Sequence, residues 1–372
     1  MVVYNNEEIP VTEIKYNAFA GCTEMTSLNI PYSITNISPI AFDNTMTLQI
    51  KIDAPNTTYD CRENCNAIIE TATNTLVCGF TNTVIPNSVE VIGEGAFQNN
   101  TEINVLNIPN SIRVIGSFAF SGCTGLTAVE IPASVREIET YAFGYCTNLG
   151  SVSMPMDLDM LYPYAFGNTP WFTAWDAKQA NGVVYWGTVA WYYKGIMPEN
   201  TAITIKEGTR TLMRSLFYNN KTLTSITIPA SVKSIGMEAF INCRKLESAY
   251  IPANTQVIGH DAFRDCSALK DVYNFSVVLP TIEFDLFKNV PVVDATLHVP
   301  VSALEVYRNA DQWKEFGNIV PLTEEDDVDG IESLTPTLSE CEGAWYDLSG
   351  RKVNSQLKKG ICIKNGKKIL VK

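Results

Sequence analysis

Hydrophobic residues recur along this chain with a period of about 23 residues, which is not the pattern of a single globular core. The stretch 223–243 reads LTSITIPASVKSIGMEAFINC, and 246–266 repeats it as LESAYIPANTQVIGHDAFRDC. An earlier copy, LTAVEIPASVREIETYAFGYC, lies at 126–146. A fixed period of this length predicts a solenoid, because one such unit cannot bury its apolar face alone.

Each repeat has two parts with different spacing. The first part, L-x-x-I-x-I-P from Leu223 to Pro229, predicts a short strand that the proline ends, because proline has no N–H for the ladder. The second part, 231–243, spaces its apolar residues by three or four positions, which predicts a short helical or irregular segment with one inward face. Gly236 is expected at a tight bend.

The repeat resembles the leucine-rich repeats of the BspA-like family of bacterial surface proteins. The resemblance covers roughly residues 9–320 and rests on IP, SV, IG, AF and C at fixed offsets in many copies. It implies a curved leucine-rich-repeat solenoid of strand-plus-helical-turn units. It also implies a surface or secreted interaction role, often adhesion, and no catalysis.

Two interruptions break the period of the solenoid predicted over 1–320. Residues 54–79 and 168–200 each predict a hairpin insertion, because each contains two runs rich in β-branched or aromatic residues around a short turn. At the end of the array, Ser302 and Glu305 have the spacing of a capping box, which predicts a cap helix at 302–316. An acidic linker at 321–335 and a small β-structured tail at 336–372 are expected to follow, and the tail resembles C-terminal sorting modules of exported bacterial proteins.

Half of the cysteines occupy one repeated position. Each lies three residues after the repeat phenylalanine, so each is expected to point inward as a small hydrophobic residue. These cysteines are Cys22, Cys123, Cys146, Cys243 and Cys266.

Three more cysteines, Cys61, Cys65 and Cys78, lie in the first interruption. The sequence allows two alternatives for these cysteines. Either Cys61 or Cys65 forms a disulfide with Cys78, or all three are free thiols. C-x-x-x-C without a nearby histidine or second cysteine pair does not favour a metal site, so neither a metal nor a cofactor is predicted.

Charge and residue patterns exclude several function classes. The net charge of −13 argues against a nucleic-acid-binding protein, which needs clustered Lys and Arg. The sequence contains no run of 18 apolar residues, so it does not predict a membrane-spanning helix. The two histidines, His260 and His298, lie in different repeat phases and form no recognisable catalytic arrangement, so we predict that the protein is not an enzyme. The resemblance suggests the cell surface or the extracellular space, although the N-terminal residues do not form a secretory signal pattern.

Two surfaces are candidates for binding. The polar residue between the two inward positions of each strand, one per turn, would form a row on the concave face, where repeat proteins usually bind partners. This row contains Asn29, Asn107, Glu130, Ser153, Thr227 and Tyr250.

The second candidate is the Trp-rich insertion, which we define as residues 168–200. Its rings either pack as a small core under the hairpin or form an exposed platform that stacks on sugars or anchors a protein. The rings singled out are those of Trp175, Trp186, Trp191 and Tyr193. A protein ligand, such as a host surface protein, is the main expectation. Glycan binding through the insertion and a purely structural spacer are the alternatives.

Overall fold

The structure is a computed structural model. It describes residues 2–4, 7–38, 40–43, 45, 48–323, 345–346, 352–353, 360–364 and 367–371. The chain divides into two compact units, residues 1–326 and 327–372.

Short strands make up most of the secondary structure of the described residues, which also contain two short α-helices. In chain order the elements are β1 (Val2–Tyr4), β2 (Glu7–Ile9), β3 (Glu13–Ile14), β4 (Ser27–Ile30), β5 (Asn36–Ile37), β6 (Gln49–Ile52), β7 (Tyr59–Asp60), β8 (Ala67–Glu70), β9 (Thr75–Gly79), β10 (Val91–Ile92), β11 (Val114–Ile115), β12 (Ala128–Glu130), β13 (Glu137–Ile138), β14 (Ser151–Ser153), β15 (Met160–Leu161), α1 (Pro170–Asp176), β16 (Gly182–Trp186), β17 (Val189–Lys194), β18 (Thr201–Thr204), β19 (Thr211–Leu212), β20 (Leu223–Thr227), β21 (Ser234–Ile235), β22 (Ser248–Ile251), β23 (Val257–Ile258), β24 (Asp271–Asn274), β25 (Thr281–Ile282), β26 (Thr296–Val299), α2 (Leu304–Asn309), β27 (Asn318–Pro321), β28 (Trp345–Tyr346), β29 (Lys352–Val353), β30 (Gly360–Lys364) and β31 (Lys367–Val371).

Regular turns of the first unit contribute strands to two sets of parallel ladders, which confirms the solenoid. The first strand of one turn pairs with the first strand of the next, as Ser225 of β20 does with Ser248 of β22. The second strand, only two residues long, does the same, as Ile235 of β21 does with Ile258 of β23. We call these the first strands and the second strands.

The second part of the repeat is not helical. It forms a two-residue strand and then tight turns, in which the spacing of three or four residues comes from successive turns. The phenylalanines of successive turns stack in the core, with ring centroids 5.0, 5.1 and 5.2 Å apart along Phe97, Phe120, Phe143 and Phe166. A second stack runs through Phe217, Phe240 and Phe263.

Gly236 allows the backbones of two successive turns to lie close together. A Cβ atom there would lie 2.5 Å from the backbone nitrogen of Arg214 in the preceding turn, and one at Gly259 would lie 2.4 Å from that of Met237. A tight turn also begins at Gly236, as expected, because its carbonyl accepts a hydrogen bond from the backbone nitrogen of Ala239 at 3.2 Å. Each regular turn places two other residues in the left-handed region, as at Glu238 (φ 56°) and Asn242 (φ 61°). That conformation costs most side chains about 1–2 kcal/mol, while Gly, Asn and Asp adopt it more easily.

Both insertions form the predicted hairpins, and both continue the solenoid. In the first, β8 pairs antiparallel with β9, and β9 then pairs in parallel with the second strand β10. In the Trp-rich insertion, β16 pairs antiparallel with β17, and β17 pairs in parallel with the second strand β19. Thus each hairpin supplies an edge from which a ladder of second strands continues.

The end of the array differs from the prediction. The helix α2 is shorter than 302–316, and its N-cap is Ala303 without a side-chain hydrogen bond, so the predicted capping box does not form. Tyr307 and Trp313 are nevertheless buried, as expected for a cap. Strand β27 then adds to the ladder of first strands beside β26.

Two terminal parts stand outside the regular array. Before the first repeat, β1 and β2 form an antiparallel hairpin that the sequence did not predict. In the second unit, β28–β31 form an antiparallel sheet of order β29-β28-β30-β31, and the predicted hairpin of Ile361 to Lys364 with Lys367 to Val371 is present. Most of the predicted linker, from residue 324 onward, lies outside the described residues.

Candidate binding surface

Some residues of the predicted polar row lie side by side on first strands that pair with each other. Glu130 of β12 lies opposite Ser153 of β14, and both are exposed. Thr227 of β20 lies beside Thr204 of β18, and Tyr250 follows in the next turn. The Trp-rich insertion separates these two parts, because β14 and β18 are not paired.

Asn107 does not belong to a strand. It is exposed between Leu106 and Ile108 in a segment without regular structure, so the prediction of a strand there is wrong. Asn29 does lie on a first strand, β4, and its Nδ2 donates to Asp53 Oδ1 at 2.8 Å. The row is thus a set of local patches, of which the one between residues 204 and 298 is the longest.

This longest part contains an aromatic stack that sequence reasoning only partly found. Tyr250 lies opposite Tyr273, and Tyr273 lies opposite His298, along β22, β24 and β26. Their ring centroids are 4.6 and 4.3 Å apart, and the planes are within 17° of parallel. All three side chains are partly buried, and His298 Nε2 lies 3.1 Å from Asp271 Oδ1.

Tyr273 was missed because its turn has no strand-ending proline, and His298 because its turn has Val-Pro in place of Ile-Pro. A signal for Tyr273 was present nonetheless, since it lies one 23-residue period after Tyr250. We define the strand row as Thr204, Thr227, Tyr250, Tyr273 and His298. It combines hydroxyl groups, aromatic rings and an imidazole on successive paired strands, which suits a polar and aromatic contact surface.

The Trp-rich insertion packs its rings against one another. Trp191 is 1% exposed, and Trp171, Trp175 and Trp186 are partly buried. Ring centroids lie 5.4 Å apart for Trp175 and Trp191 and 5.8 Å apart for Trp175 and Trp186. Trp186 Nε1 donates to the carbonyl of Pro155 at 2.8 Å.

Trp191 is therefore a core residue of the insertion, which fits the first of the two alternatives, and its ring is not part of an exposed binding platform. Its burial follows from its place on β17, the strand that joins the hairpin to the solenoid. Tyr193, two residues further on, packs against Phe217 at 6.1 Å, in the core of the following turns. The two sides of the hairpin thus face two core clusters, one before the insertion and one after it.

The repeated cysteine site is a buried donor rather than a reactive centre. Cys146 Sγ donates to the carbonyl of Phe120, in the preceding turn, at 3.1 Å, and Cys243 does the same to Phe217 at 3.2 Å. Burial raises the pKa of both thiols to about 12. Cys22 is exposed, against expectation, because no earlier repeat phenylalanine precedes it in the described residues.

The first insertion contains no disulfide. Cys61, Cys65 and Cys78 are all free, and burial raises the pKa of Cys65 to about 11. In the part of the chain that the structure describes, no group of three His, Cys, Asp or Glu side chains could hold a metal ion.

A family model for the BspA type leucine rich repeat region matches residues 5–75, 66–181 and 191–310, in six copies. The chain belongs to the BspA-type leucine-rich repeat family. No curated protein sequence matches it. None of the described helices has the length and hydrophobicity that crossing a membrane requires.

This BspA-type protein is similar to solved structures from several bacteria. A leucine-rich repeat protein from Bacteroides ovatus is 24% identical, with 87% of this chain and 90% of that one covered and a TM-score of 0.31. A leucine rich cell surface protein from Faecalibacterium prausnitzii is 20% identical, with 87% of each chain covered and a TM-score of 0.33. The pneumococcal vaccine antigen PcpA is 16% identical, with 84% and 85% covered and a TM-score of 0.26.

Proposed function

We propose that this protein is a non-enzymatic adhesion protein at the cell surface, and that it binds a protein partner through the strand row. Membership of a leucine-rich repeat family supports an interaction role. The observation that carries the choice of surface is the stack of Tyr250, Tyr273 and His298 on three consecutive first strands. We predict this face as the concave one. The C-terminal sheet would serve as the sorting module for export.

The chemistry of the strand row suits a protein interface. Tyrosine contributes a large amphipathic ring that loses little entropy on binding, and it is enriched among residues that dominate interface energies. Thr204 and Thr227 add hydroxyl groups in register beside the stack. The rings hold each other in place, so ordering them on binding costs less than ordering isolated side chains.

The experiment compares the wild-type protein with the Tyr250→Ser/Tyr273→Ser variant. Partners captured from host-cell surface extract are identified, and their dissociation constants are measured for both proteins. Because these two tyrosines supply the phenol rings of the proposed surface, we expect the variant to bind at least about tenfold more weakly. A matched control, Tyr16→Ser/Tyr218→Ser, removes two tyrosines that are 65% and 60% exposed and do not belong to the row.

An unchanged dissociation constant for every captured partner would reject the strand row. An equal loss in the control variant would also reject it, since the effect would then not depend on position. Glycan binding through the Trp-rich insertion is disfavoured by the packing of its rings, and a glycan array with the wild-type protein tests it separately.

A further inference from the structure

Aromatic residues occupy left-handed backbone positions in three consecutive turns. The first left-handed site of a turn lies two residues before the repeat phenylalanine, and the second lies two residues after it. Phe118, Tyr141 and Tyr164 take the first site with φ of 57°, 54° and 61°, and Tyr145 takes the second site with φ of 58°.

Among the described residues with positive φ, the other copies of these sites carry small or polar residues. The second site there is Gly, Asn or Asp: Gly21, Asn99, Gly122, Asn168, Asn219, Asn242, Asp265 and Asn289. The first site elsewhere is Asn17, Gly95, Ser215, Glu238, Asp261 and Asp285. A bulky residue at positive φ is an uncommon, strained choice, so four such residues in adjacent turns call for a specific reason.

The four rings form one cluster, which we call the tyrosine patch. Tyr141 stacks on Phe118 at 5.5 Å, on Tyr164 at 5.4 Å and on Tyr145 at 5.5 Å. Tyr164 is 62% exposed and Tyr145 is 48% exposed. The patch therefore presents ring surface and phenol hydroxyl groups to solvent, at sites that belong to neither the strand row nor the Trp-rich insertion.

One carboxylate, that of Glu139, lies in the same turns as this patch. Glu139, two residues before Tyr141, accepts hydrogen bonds from the backbone nitrogen and Oγ of Ser117, the residue before Phe118, at 2.9 and 2.8 Å. The whole chain carries a net charge of −13. Electron-rich ring faces beside carboxylates attract cations, and guanidinium groups stack on such rings better than ammonium groups do.

We infer that the tyrosine patch is a second interaction surface, and that it binds an arginine-bearing segment of a protein partner. The guanidinium group would stack on the exposed rings of Tyr145 and Tyr164, with Glu139 as the neighbouring negative charge. This surface is independent of the proposed strand row, since no residue is shared between them.

The test uses a fluorescent nonapeptide in which arginine alternates with glycine and serine, and a lysine version of the same peptide. The Tyr145→Asn/Tyr164→Asn variant introduces asparagine, the residue common at these sites in other turns, so the fold is retained and the net charge does not change. The matched control, Tyr32→Asn/Tyr218→Asn, removes tyrosines that are 64% and 60% exposed elsewhere. Fluorescence anisotropy gives the affinities, and thermal melts check the fold.

We expect the wild-type protein and the control to bind the arginine peptide alike, and more tightly than the lysine peptide. The patch variant should bind it at least about tenfold more weakly, with an unchanged or higher melting temperature. Absence of binding by the wild-type protein would overturn the inference. Equal binding by the patch variant, or patch-dependent binding of a neutral oligosaccharide in place of the peptide, would overturn it as well.

Discussion

The Trp-rich insertion and the tyrosine patch hold two groups of aromatic rings in adjacent turns and place them in opposite ways. Trp191 is 1% exposed and donates its Nε1–H to the carbonyl of Tyr162 at 3.3 Å, while Tyr164, two residues later in that turn, is 62% exposed. The insertion is rich in tryptophan, yet its rings build a core. The patch interrupts no repeat, yet its rings face solvent. Aromatic composition alone therefore does not locate a binding surface in a solenoid.

Backbone geometry explains the difference. Trp191 lies on β17, whose side chains reach both neighbouring core clusters, so its ring has a place inside. Tyr145 and Tyr164 lie at left-handed positions in the tight turns around Phe143 and Phe166, which themselves fill the core.

The largest expected effect comes from removing the buried ring of the insertion. Trp191→Ala should lower the free energy of unfolding by about 3–5 kcal/mol, because it leaves a cavity and loses ring contacts. Chemical denaturation, followed by circular dichroism, measures the change. Tyr164→Ala is the matched control at the patch and should change the same quantity by less than about 1 kcal/mol. Similar losses in both variants would contradict the assignment of one ring to the core and the other to the surface.

A smaller effect is expected from one hydrogen bond of the insertion. Trp186→Phe keeps an aromatic ring but removes the Nε1–H that donates to Pro155, so unfolding should become easier by about 1 kcal/mol. The same denaturation experiment applies. A change near zero would mean that this bond does not help to attach the hairpin to the solenoid.

The smallest effect on stability is expected at the patch. In Tyr145→Asn, relief of the left-handed strain, about 1–2 kcal/mol, offsets the lost stacking on Tyr141, about 0.5–1.5 kcal/mol. The net change in unfolding free energy should be within about 1 kcal/mol of zero. A loss above about 2 kcal/mol would show that the ring stabilises the fold, and would weaken the case for a binding role.

The same contrast between a buried and an exposed side chain applies to two cysteines, Cys146 and Cys22. Because burial raises the pKa of Cys146 to about 12, its thiolate fraction at pH 8 is about one in ten thousand. Iodoacetamide at pH 8 should therefore modify the exposed Cys22 well before Cys146 in the native protein, as peptide mass spectrometry can measure. Modification of Cys146 should accelerate as the pH rises toward its pKa. Equal rates at pH 8 would contradict the burial of the repeated site.

The period and the Pro-ended strands made the solenoid predictable, and two β-rich runs at each interruption made both hairpins predictable. The structure of the second part of the repeat was harder to predict, because tight turns space apolar residues by three or four positions just as a helix does. The sequence did contain a signal for those turns: Asn lies two residues after Phe240, and Asp lies two residues after Phe263. Asn and Asp adopt the left-handed conformation more easily than most residues do.

The candidate sites were less predictable for a related reason. Thr227 and Tyr250 follow from the repeat pattern, but Tyr273 lies in a turn without the strand-ending proline, and the turn of His298 has Val-Pro in place of Ile-Pro. Burial of Trp191 depends on which face of the hairpin meets the core, and the sequence of the insertion alone does not say so. Tyr145 becomes conspicuous only when the left-handed φ at its position is known.

Hydroxyl-radical footprinting, with and without a protein partner recovered from host-cell surface extract, tests the proposed function most directly. Tyrosine and tryptophan side chains oxidise readily, so oxidation reports which rings the partner covers. We predict that the partner lowers the oxidation of Tyr250 and Tyr273 and leaves that of Trp175 and Trp186 unchanged. Protection confined to the two tryptophans would contradict it.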